Sequence, residues 1–432
     1  MKKISIVILV AGNSTRFKHS KSKIYQDLAG LSIIEHVYKV AKKISKENII
    51  FVCNQSNFSE LNKLFSEAKF VIQKKQKGTA DAIYQAKKYL KNSNVLILFG
   101  DVPLITIHSL KKLILNFYKN NSVGSMIAFK TKDPSGYGRV ITEGKYISNV
   151  VEELNATQIQ KKIQLCNSGV MICNSNLLFA NISKISNKNL KKEKYLPDIF
   201  NIFNKINKSF SYVVGLEEEM VGINSIKDLI KIDAIYQKSL KNKIIENGVI
   251  LIQPDSIRLS YDTKIKSRVI IEPHVIIKNS VEIQSDVIIK SHSSLESCKI
   301  NSNSSIGPSA RIRPKTQIGK NVRIGNYVEI KNSKIGNNTS ISHLSYIGDS
   351  NIGSNVNIGA GTITCNYDGK KKNKTIIEND VFVGSNCSLI APIKIGAKST
   401  IGAGSVITEN IPKNHLAVER SEVKILRKKG KK

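Results

Sequence analysis

The sequence predicts two architectures in one chain: an α/β domain with a doubly wound parallel sheet, then a left-handed parallel β-helix of hexapeptide repeats, joined by a long helix. Three observations predict it. Strand-like and helix-like segments alternate up to residue 224. A stretch from 225 to 247 keeps helical spacing without Pro or Gly. From about residue 260 to 410 an aliphatic residue returns at every sixth position, first through Ile265, Ile271, Ile277, Ile283, Ile289 and Leu295. The run resumes at Ile300, Ile306, Ile312, Ile318, Ile324 and Ile330, and again at Val383, Leu389, Ile395, Ile401 and Ile407.

In the first domain, residues 1–224, Ile4 to Val10 reads as a buried strand. Ser32 to Ile44 has helical spacing, Ile49 to Cys53 is a second strand, and Phe58 to Phe65 and Ala80 to Leu90 read as helices. Val95 to Phe99 is a third strand ending at Gly100-Asp101. This βαβ alternation argues for a parallel, Rossmann-like sheet. Such sheets bind ligands outside the carboxyl ends of their strands, here the loops after Val10 and Phe99. Residues 225–247 follow as a helical linker, with Ile226, Leu229, Ile230, Ile235 and Leu240 on helical spacing.

In the last domain, residues 248–432, a period of six fits neither the helical 3.6 nor the strand period of 2. It signals stacked hexapeptide coils, each inward aliphatic residue lying on the one a coil below. Gly follows many of these residues directly, as at Gly307, Gly319, Gly325, Gly336, Gly348, Gly353, Gly359, Gly384, Gly396 and Gly402. The expectation is that each such Gly turns a corner through its permissive φ. One segment, Cys365 to Thr375, interrupts the repeat and reads as a projecting functional loop. A basic tail follows Ile411-Pro412.

At 432 residues with 41% apolar content, the chain can build two or three cores. The formal charge of +34 raises nucleic acid or a membrane surface as partners. The lysines are scattered and there is no Trp, so compositional drift toward Lys, Asn and Ile explains the charge better, and neither partner is expected. The six cysteines contain no CxxC pair and read as reduced thiols of a cytoplasmic protein. Met1-Lys2-Lys3 before an apolar run looks like a short signal peptide, but a buried strand entering a Gly turn fits the following elements better.

Leu9-Val10-Ala11-Gly12-Asn13-Ser14-Thr15-Arg16 places a small-residue turn after the first strand, where backbone N–H groups can hold phosphates. Arg16 adds a fixed charge, and Lys23 lies a few residues on. Gln73 with Gly78-Thr79 before a helix could read a base. Phe99-Gly100-Asp101 puts a carboxylate at the ligand edge, and Gly136 to Arg139, Asn167 to Gly169 and Gly222 to Asn224 are small polar turns. Asp101 and Asn224 could supply the one or two protein oxygens that Mg²⁺ takes beside phosphate and water.

Together these motifs resemble the sugar-nucleotide pyrophosphorylases. With the hexapeptide repeat behind them, the chain resembles the bacterial bifunctional N-acetylglucosamine-1-phosphate uridylyltransferase/glucosamine-1-phosphate N-acetyltransferases from Ile4 to Arg420. The most specific stretch runs from Ile352 through Gly359-Ala360-Gly361-Thr362 to Asn366-Tyr367-Asp368-Gly369. The resemblance implies acetyl-CoA-dependent N-acetylation of glucosamine-1-phosphate, then Mg²⁺-dependent uridylyl transfer from UTP with release of pyrophosphate. It implies that Leu9, Ala11, Gly12 and Lys23 contact the uridine nucleotide, with Arg16 at its phosphates. Gln73, Gly78 and Thr79 would hold uracil and ribose, Gly138, Glu152 and Asn167 the N-acetylglucosamine part, and Asp101 and Asn224 the metal. In the repeat it implies His343 as general base, polarised by Glu329. Arg313, Lys331, Tyr346 and Asn357 would bind the amino-sugar phosphate. Ala360, Asn366, Tyr367, Ser385, Ala403 and Arg420 would line the acetyl-CoA groove. It also implies a homotrimer, which flat prism faces allow.

The chain departs from that family's pattern at Ser14, where a second Gly is usual, at Ser22 for Pro, at Phe99 for Tyr, and at Leu154-Asn155 for a basic–acidic pair. These departures motivate an alternative, an acetyltransferase with a weakened nucleotidyl head. A basic scaffold for nucleic acid or membrane, motivated by charge alone, is the reading from a different class.

Overall fold

The computed structural model describes residues 3–12, 17, 22–90, 92–187, 189, 192–420, 423 and 425. The chain divides into two compact units, Met1–Tyr236 and Gln237–Lys432.

The first unit is built on a nine-stranded sheet. Lys69–Ile72, Ile49–Cys53, Ile4–Val10 and Asn94–Phe99 lie side by side, all parallel. Beyond them the sheet turns mixed: Leu165–Asn174 runs antiparallel to Asn94–Phe99 and to Gly124–Lys130. Phe210–Gly215 is again parallel to Gly124–Lys130, and the hairpin Arg139–Glu143/Tyr146–Val151 closes the edge. The parallel half is therefore the part that βαβ alternation foretells.

Both faces of the sheet are covered, because successive strand residues point to opposite sides. Ile6, Ile8 and Val10 pack with Ile34, Val37, Leu110 and Leu113, the apolar stripes of helices Ile33–Ile44 and Ile107–Lys119. Val7 and Leu9 pack oppositely with Ala80, Ile83, Ile199 and Phe203. Helix Ile33–Ile44 starts on a capping box, with the Ser32 N–H donating to Glu35 at 2.8 Å. The expected helix over 80–90 is shorter: Thr79–Gln85 is α-helical and Lys87–Tyr89 is a 3₁₀ turn. The change comes where Tyr89 and Leu90 N–H groups bond three residues back, to Ala86 and Lys87. The long helix spans Ile226–Glu246.

The second unit is a left-handed parallel β-helix with three faces, sheets of ten, eight and eight short parallel strands. A coil takes 18 residues where Lys264 pairs with Glu282, and 17 where Ile288 pairs with Ser305. The lost residue explains why the period of six breaks between Leu295 and Ile300. Asn357 pairs with Phe382, so the coil holding the insertion takes 25 residues. The inward Ile, Val and Leu residues form one continuous buried column.

Gly307 takes a left-handed φ of +97°, but the other repeated glycines do not turn the corners as expected. The left-handed residue of a corner typically comes three positions after the inward aliphatic, as at Arg268, His274, Asp286, Asn303, Asn321, Asn338 and Asn355. Gly319, Gly325, Gly336, Gly353, Gly359, Gly384 and Gly402 are absent from the positive-φ set. They are small because stacked coils approach closely there. A Cβ on Gly319 would lie 2.8 Å from the Gly336 carbonyl carbon, and one on Gly384 would lie 2.5 Å from the Ala403 nitrogen. At the corners, Asn tolerates the left-handed backbone and its amide adds a ladder: Asn321 donates to Asn338 at 2.9 Å, Asn338 to Asn355 at 3.1 Å and Asn355 to Asp380 at 3.0 Å.

All six cysteines are unpaired, and burial pushes the Cys173 thiol up to about 12. Among the described residues no helix is long and apolar enough to cross a membrane.

Candidate active sites

In the first unit a cavity of about 730 Å³ opens at the carboxyl ends of the parallel strands. Leu9, Ala11, Gly12, Lys23, Gln73, Gly78, Thr79, Phe99 and Asp101 all line it. The register explains the grouping: Leu9 pairs with Phe99, and the Gly100 N–H donates to the Leu9 carbonyl at 3.0 Å. Gly100 is required by close approach, since a Cβ there would meet Val10 and come within 2.9 Å of Ile34. Arg16 lies outside the described residues.

Lys23 is the electrostatic centre of this cleft. Its Nζ donates to Asp101 Oδ2 at 2.6 Å and to Asn224 Oδ1 at 3.1 Å. Both side chains of the ion pair are largely shielded, at 14% and 23% exposure, so solvent screens it only partly. Asn224 reaches this point because the Ile223 N–H donates to the Asp101 carbonyl at 2.9 Å. Two oxygens separated by 123 positions in sequence thus converge on one cation. Among the described residues no three His, Cys, Asp or Glu side chains gather to hold a metal.

A segment that no sequence motif marks packs against the Gly78–Thr79 side of the cleft. The Leu196 N–H donates to the Thr79 hydroxyl at 2.9 Å, and the Ala80 N–H to the Lys194 carbonyl at 3.0 Å. Gly78, at φ +102°, has the Lys194 nitrogen 2.7 Å from where a Cβ would stand, so no other residue fits. The Gln73 amide donates to the Gly78 carbonyl at 3.2 Å and to Asp81 at 2.7 Å. Asn57, Gln76 and Glu193 also line the cavity. No local motif marks them, because each arrives by tertiary folding.

Gly138, Glu152 and Asn167 meet beside a bulge rather than in the cavity lining. The Asn167 N–H donates to the Gly138 carbonyl at 2.8 Å, and a Cβ on Gly138 would lie 3.4 Å from Glu152 Oε1. The pairing of Leu165–Asn174 slips between Asn167 and Met171, and such a bulge re-aims side chains. Gly169 faces the Phe99 ring there. Leu154, one of the departures, is exposed, while neighbouring Glu153 pairs with buried Arg139 at 2.5 Å.

In the β-helix the candidate residues collect along one corner. Strand Arg323–Asn326 pairs in parallel with Ser340–His343, setting Asn326 opposite His343. Backbone bonds then stack the corner upward. The Gly361 N–H donates to the His343 carbonyl at 3.3 Å, the Asn386 N–H to Ala360 at 2.7 Å, and the Gly404 N–H to Ser385 at 2.8 Å. Ala360, Ser385 and Ala403 therefore form a column above His343. Arg420 is exposed beyond the last strand, Leu416–Ala417, and among the described residues no hydrogen bond or ion pair ties it to that column.

On the adjoining face, Arg313 and Lys331 follow inward Ile312 and Ile330, and Tyr346 precedes inward Ile347, so all three point outward. Asn357 lies on the neighbouring face, paired with Ser340. Tyr346 and Asn366 crowd Gly348, each with an atom 2.6 Å from where its Cβ would be. Exposed Tyr367 donates its hydroxyl to the Gly369 carbonyl at 2.7 Å within the insertion.

Glu329 shares its face with Arg311 and Arg313. Its carboxylate is engaged by Arg313 at 2.7 Å and Arg311 at 3.4 Å, because it stacks directly above Arg311 on its own face. His343 Nδ1 lies 2.8 Å from Asn326 Oδ1. Lys372, on the insertion, is a second residue missed. Its positive charge beside Lys331, with desolvation and Arg313, holds the Lys331 ammonium below its ordinary pKa. Asp368 shapes this loop by accepting from the Lys370 and Lys371 N–H groups at 2.9 and 2.8 Å, which holds its carboxyl down at about 2. The signal available in sequence was the run of three lysines in the insertion.

Comparison with known proteins agrees with this division. Residues 6–161 match the family described as MobA-like NTP transferase domain, 294–387 the GMPPB C-terminal domain, and 374–409 the hexapeptide repeat of succinyl-transferase. The bifunctional protein GlmU of Bartonella bacilliformis is 37% identical over 420 residues, covering 96% of this chain and 93% of that protein. GlmU of Paramagnetospirillum magneticum is 37% identical over 97% of this chain and 94% of that protein, and GlmU of Campylobacter fetus is 39% identical over 98% and 96%. The chain belongs to the GlmU family, and it is a bifunctional enzyme of UDP-N-acetylglucosamine synthesis, a uridylyltransferase and a glucosamine-1-phosphate N-acetyltransferase.

Proposed function

We propose that each unit carries one of the two reactions, with the residues assigned as follows. The observation that carries the assignment is the column of Ala360, Ser385 and Ala403 above His343, which offers an extended edge to acetyl-CoA with a base at its foot.

In the β-helix, Arg313 and Lys331, joined by Lys372, hold the phosphate of glucosamine-1-phosphate, and Tyr346 and Asn357 orient the sugar. The amine nitrogen attacks the thioester carbonyl carbon. Its proton passes to His343 Nε2, the new N–C bond forms, the C–S bond breaks, and the imidazolium returns the proton to the CoA sulfur. Asn366 and Tyr367 bound the acetyl-CoA groove, with Arg420 at its far end.

In the first unit the Leu9 to Gly12 turn, with Arg16, holds the nucleotide phosphates. Gln73, Gly78 and Thr79 hold the base and ribose, and Gly138, Glu152 and Asn167 the sugar. The sugar-phosphate oxygen attacks the α-phosphorus of UTP in line, and the bond to pyrophosphate breaks. Asp101 and Asn224 suit Mg²⁺, being hard oxygens close enough for one Lys23 nitrogen to reach both. When bound, the ion supplies charge neutralisation at the phosphates. Lys23 must release both oxygens for this, and its ammonium then has the phosphates as partners.

Outward apolar residues on the prism faces, among them Ile276, Ile288, Ile363, Phe382 and Val406, support assembly into a homotrimer. Substrates that are cytoplasmic metabolites support a cytoplasmic location. The test is one incubation with glucosamine-1-phosphate, acetyl-CoA, UTP and Mg²⁺, read by mass spectrometry. UDP-N-acetylglucosamine that disappears on chelation supports both heads. N-acetylglucosamine-1-phosphate alone would overturn the assignment of the first cleft.

A further inference from the structure

We propose that Asn326 is the positioning residue for the acetyl-transfer base: its side-chain amide fixes the tautomer and direction of the His343 ring. The inference rests on the reading of His343 as that base and deepens it.

Two strands create the pair. Asn326 and His343 are register partners at the ends of parallel strands one coil apart. The strands approach each other closely there. A Cβ on Gly325 would overlap the Ser342 carbonyl, so only Gly allows this approach. Asn326 then grips the next coil twice. Its carbonyl accepts the Leu344 N–H at 3.0 Å, and its Oδ1 faces His343 Nδ1 at 2.8 Å. The His343 carbonyl is itself held by the Ser345 hydroxyl at 2.9 Å. Immediately after each partner the chain enters the left-handed region, at Tyr327 with φ +55° and Leu344 with φ +51°. Most corners of this helix place Asn, Asp, Ser, Lys, His or Gly there. Bulky residues in that conformation are strained, and strain of this kind gathers at functional sites.

The chemistry follows from the amide. With Oδ1 as acceptor, Nδ1 carries the ring proton, and Nε2 keeps its lone pair for the substrate amine. A neutral amide orients the ring without the charge that a carboxylate would add. The carboxylate of Glu329 is already engaged by Arg313 and Arg311.

The experiment compares Asn326→Ala, Asn326→Asp and His343→Ala in the full chain. Acetyl transfer is followed against pH, with thermal melting and ¹⁵N spectra of the His343 ring alongside. Asn326→Ala is expected to lower kcat by ~10- to 100-fold, the usual scale for a residue that orients a functional imidazole, with KM for glucosamine-1-phosphate little changed. Its ring nitrogens should show mixed tautomers. Asn326→Asp should stabilise the imidazolium and move the acidic limb of the rate profile upward by ~1 pH unit or more. Wild-type kcat and an unmoved profile in both variants would overturn the proposal. So would a loss of rate matched by a loss of melting temperature with an unaltered tautomer, since Asn326 would then only stack coils. If His343→Ala itself retains turnover, the reading of His343 fails instead.

Discussion

The two candidate sites are assembled in opposite ways. The site proposed for acetyl transfer lies on a repeat, where spacing along the chain converts directly into position. Residues 17, 18 or, across the insertion, 25 apart are neighbours, as Asn326 and His343 or Asn357 and Phe382 are. The site proposed for nucleotidyl transfer is gathered from strand ends and from segments that fold back across the sheet, as Lys194 and Leu196 do over Gly78 and Thr79. A repeat makes a site out of local arithmetic, and a doubly wound sheet makes one out of topology.

That contrast can be broken most directly by separating the reactions. Asp101→Asn should abolish most uridylyl transfer from supplied N-acetylglucosamine-1-phosphate while acetyl transfer persists. His343→Ala should do the converse, with losses of ~10²- to 10⁴-fold expected for removal of a general base. Coupled losses in both single variants, measured by separate assays, would mean the units do not work independently.

Gly325→Ala tests the arithmetic itself. Overlap with the Ser342 carbonyl forces the coils apart, and the cost should reach ~1–3 kcal/mol or more, as overpacking does. It would be read as a lower melting midpoint together with lost acetyl transfer. A wild-type midpoint would show that the coils have room to move.

The cluster of Arg313, Lys331 and Lys372 predicts a smaller effect. Lys372 depresses the Lys331 pKa, so an anion that relieves the repulsion should bind there. Lys372→Ala should raise KM for glucosamine-1-phosphate by ~10-fold, the scale of one charge-assisted hydrogen bond, with kcat changed less. An unchanged KM would remove Lys372 from the phosphate site.

The smallest effect concerns the insertion. Asp368 is held at about 2, below the ordinary value near ~3.9, by backbone N–H groups. Its support for the loop is complete above the ordinary value and disappears as pH falls through about 2. Asp368→Asn should loosen the loop at neutral pH, visible as faster proteolysis between Lys370 and Lys372. Equal cleavage in both forms would count against the carboxylate's role.

How much of this was legible differs between the units for a physical reason. The inward aliphatic column and the insertion could be read directly, because a six-residue period has one geometric solution. Even there the glycines misled: their need is for close approach between coils, which depends on a neighbour 17 or more residues away, rather than for a corner conformation. The ion pairs of Glu329 with Arg311 and Arg313 were likewise not legible, since they depend on which coils stack.

By itself the sequence determined the two architectures, the helix between them and the repeat that bears His343. Those follow from hydrophobic period and turn chemistry, which act over a few residues. Only the tertiary structure decided that Lys23 bridges Asp101 and Asn224, that Lys194 closes over Gly78, and that Asn326 holds the His343 ring. Each of those is a contact between groups whose separation in sequence carries no force, and only packing brings them within hydrogen-bonding reach.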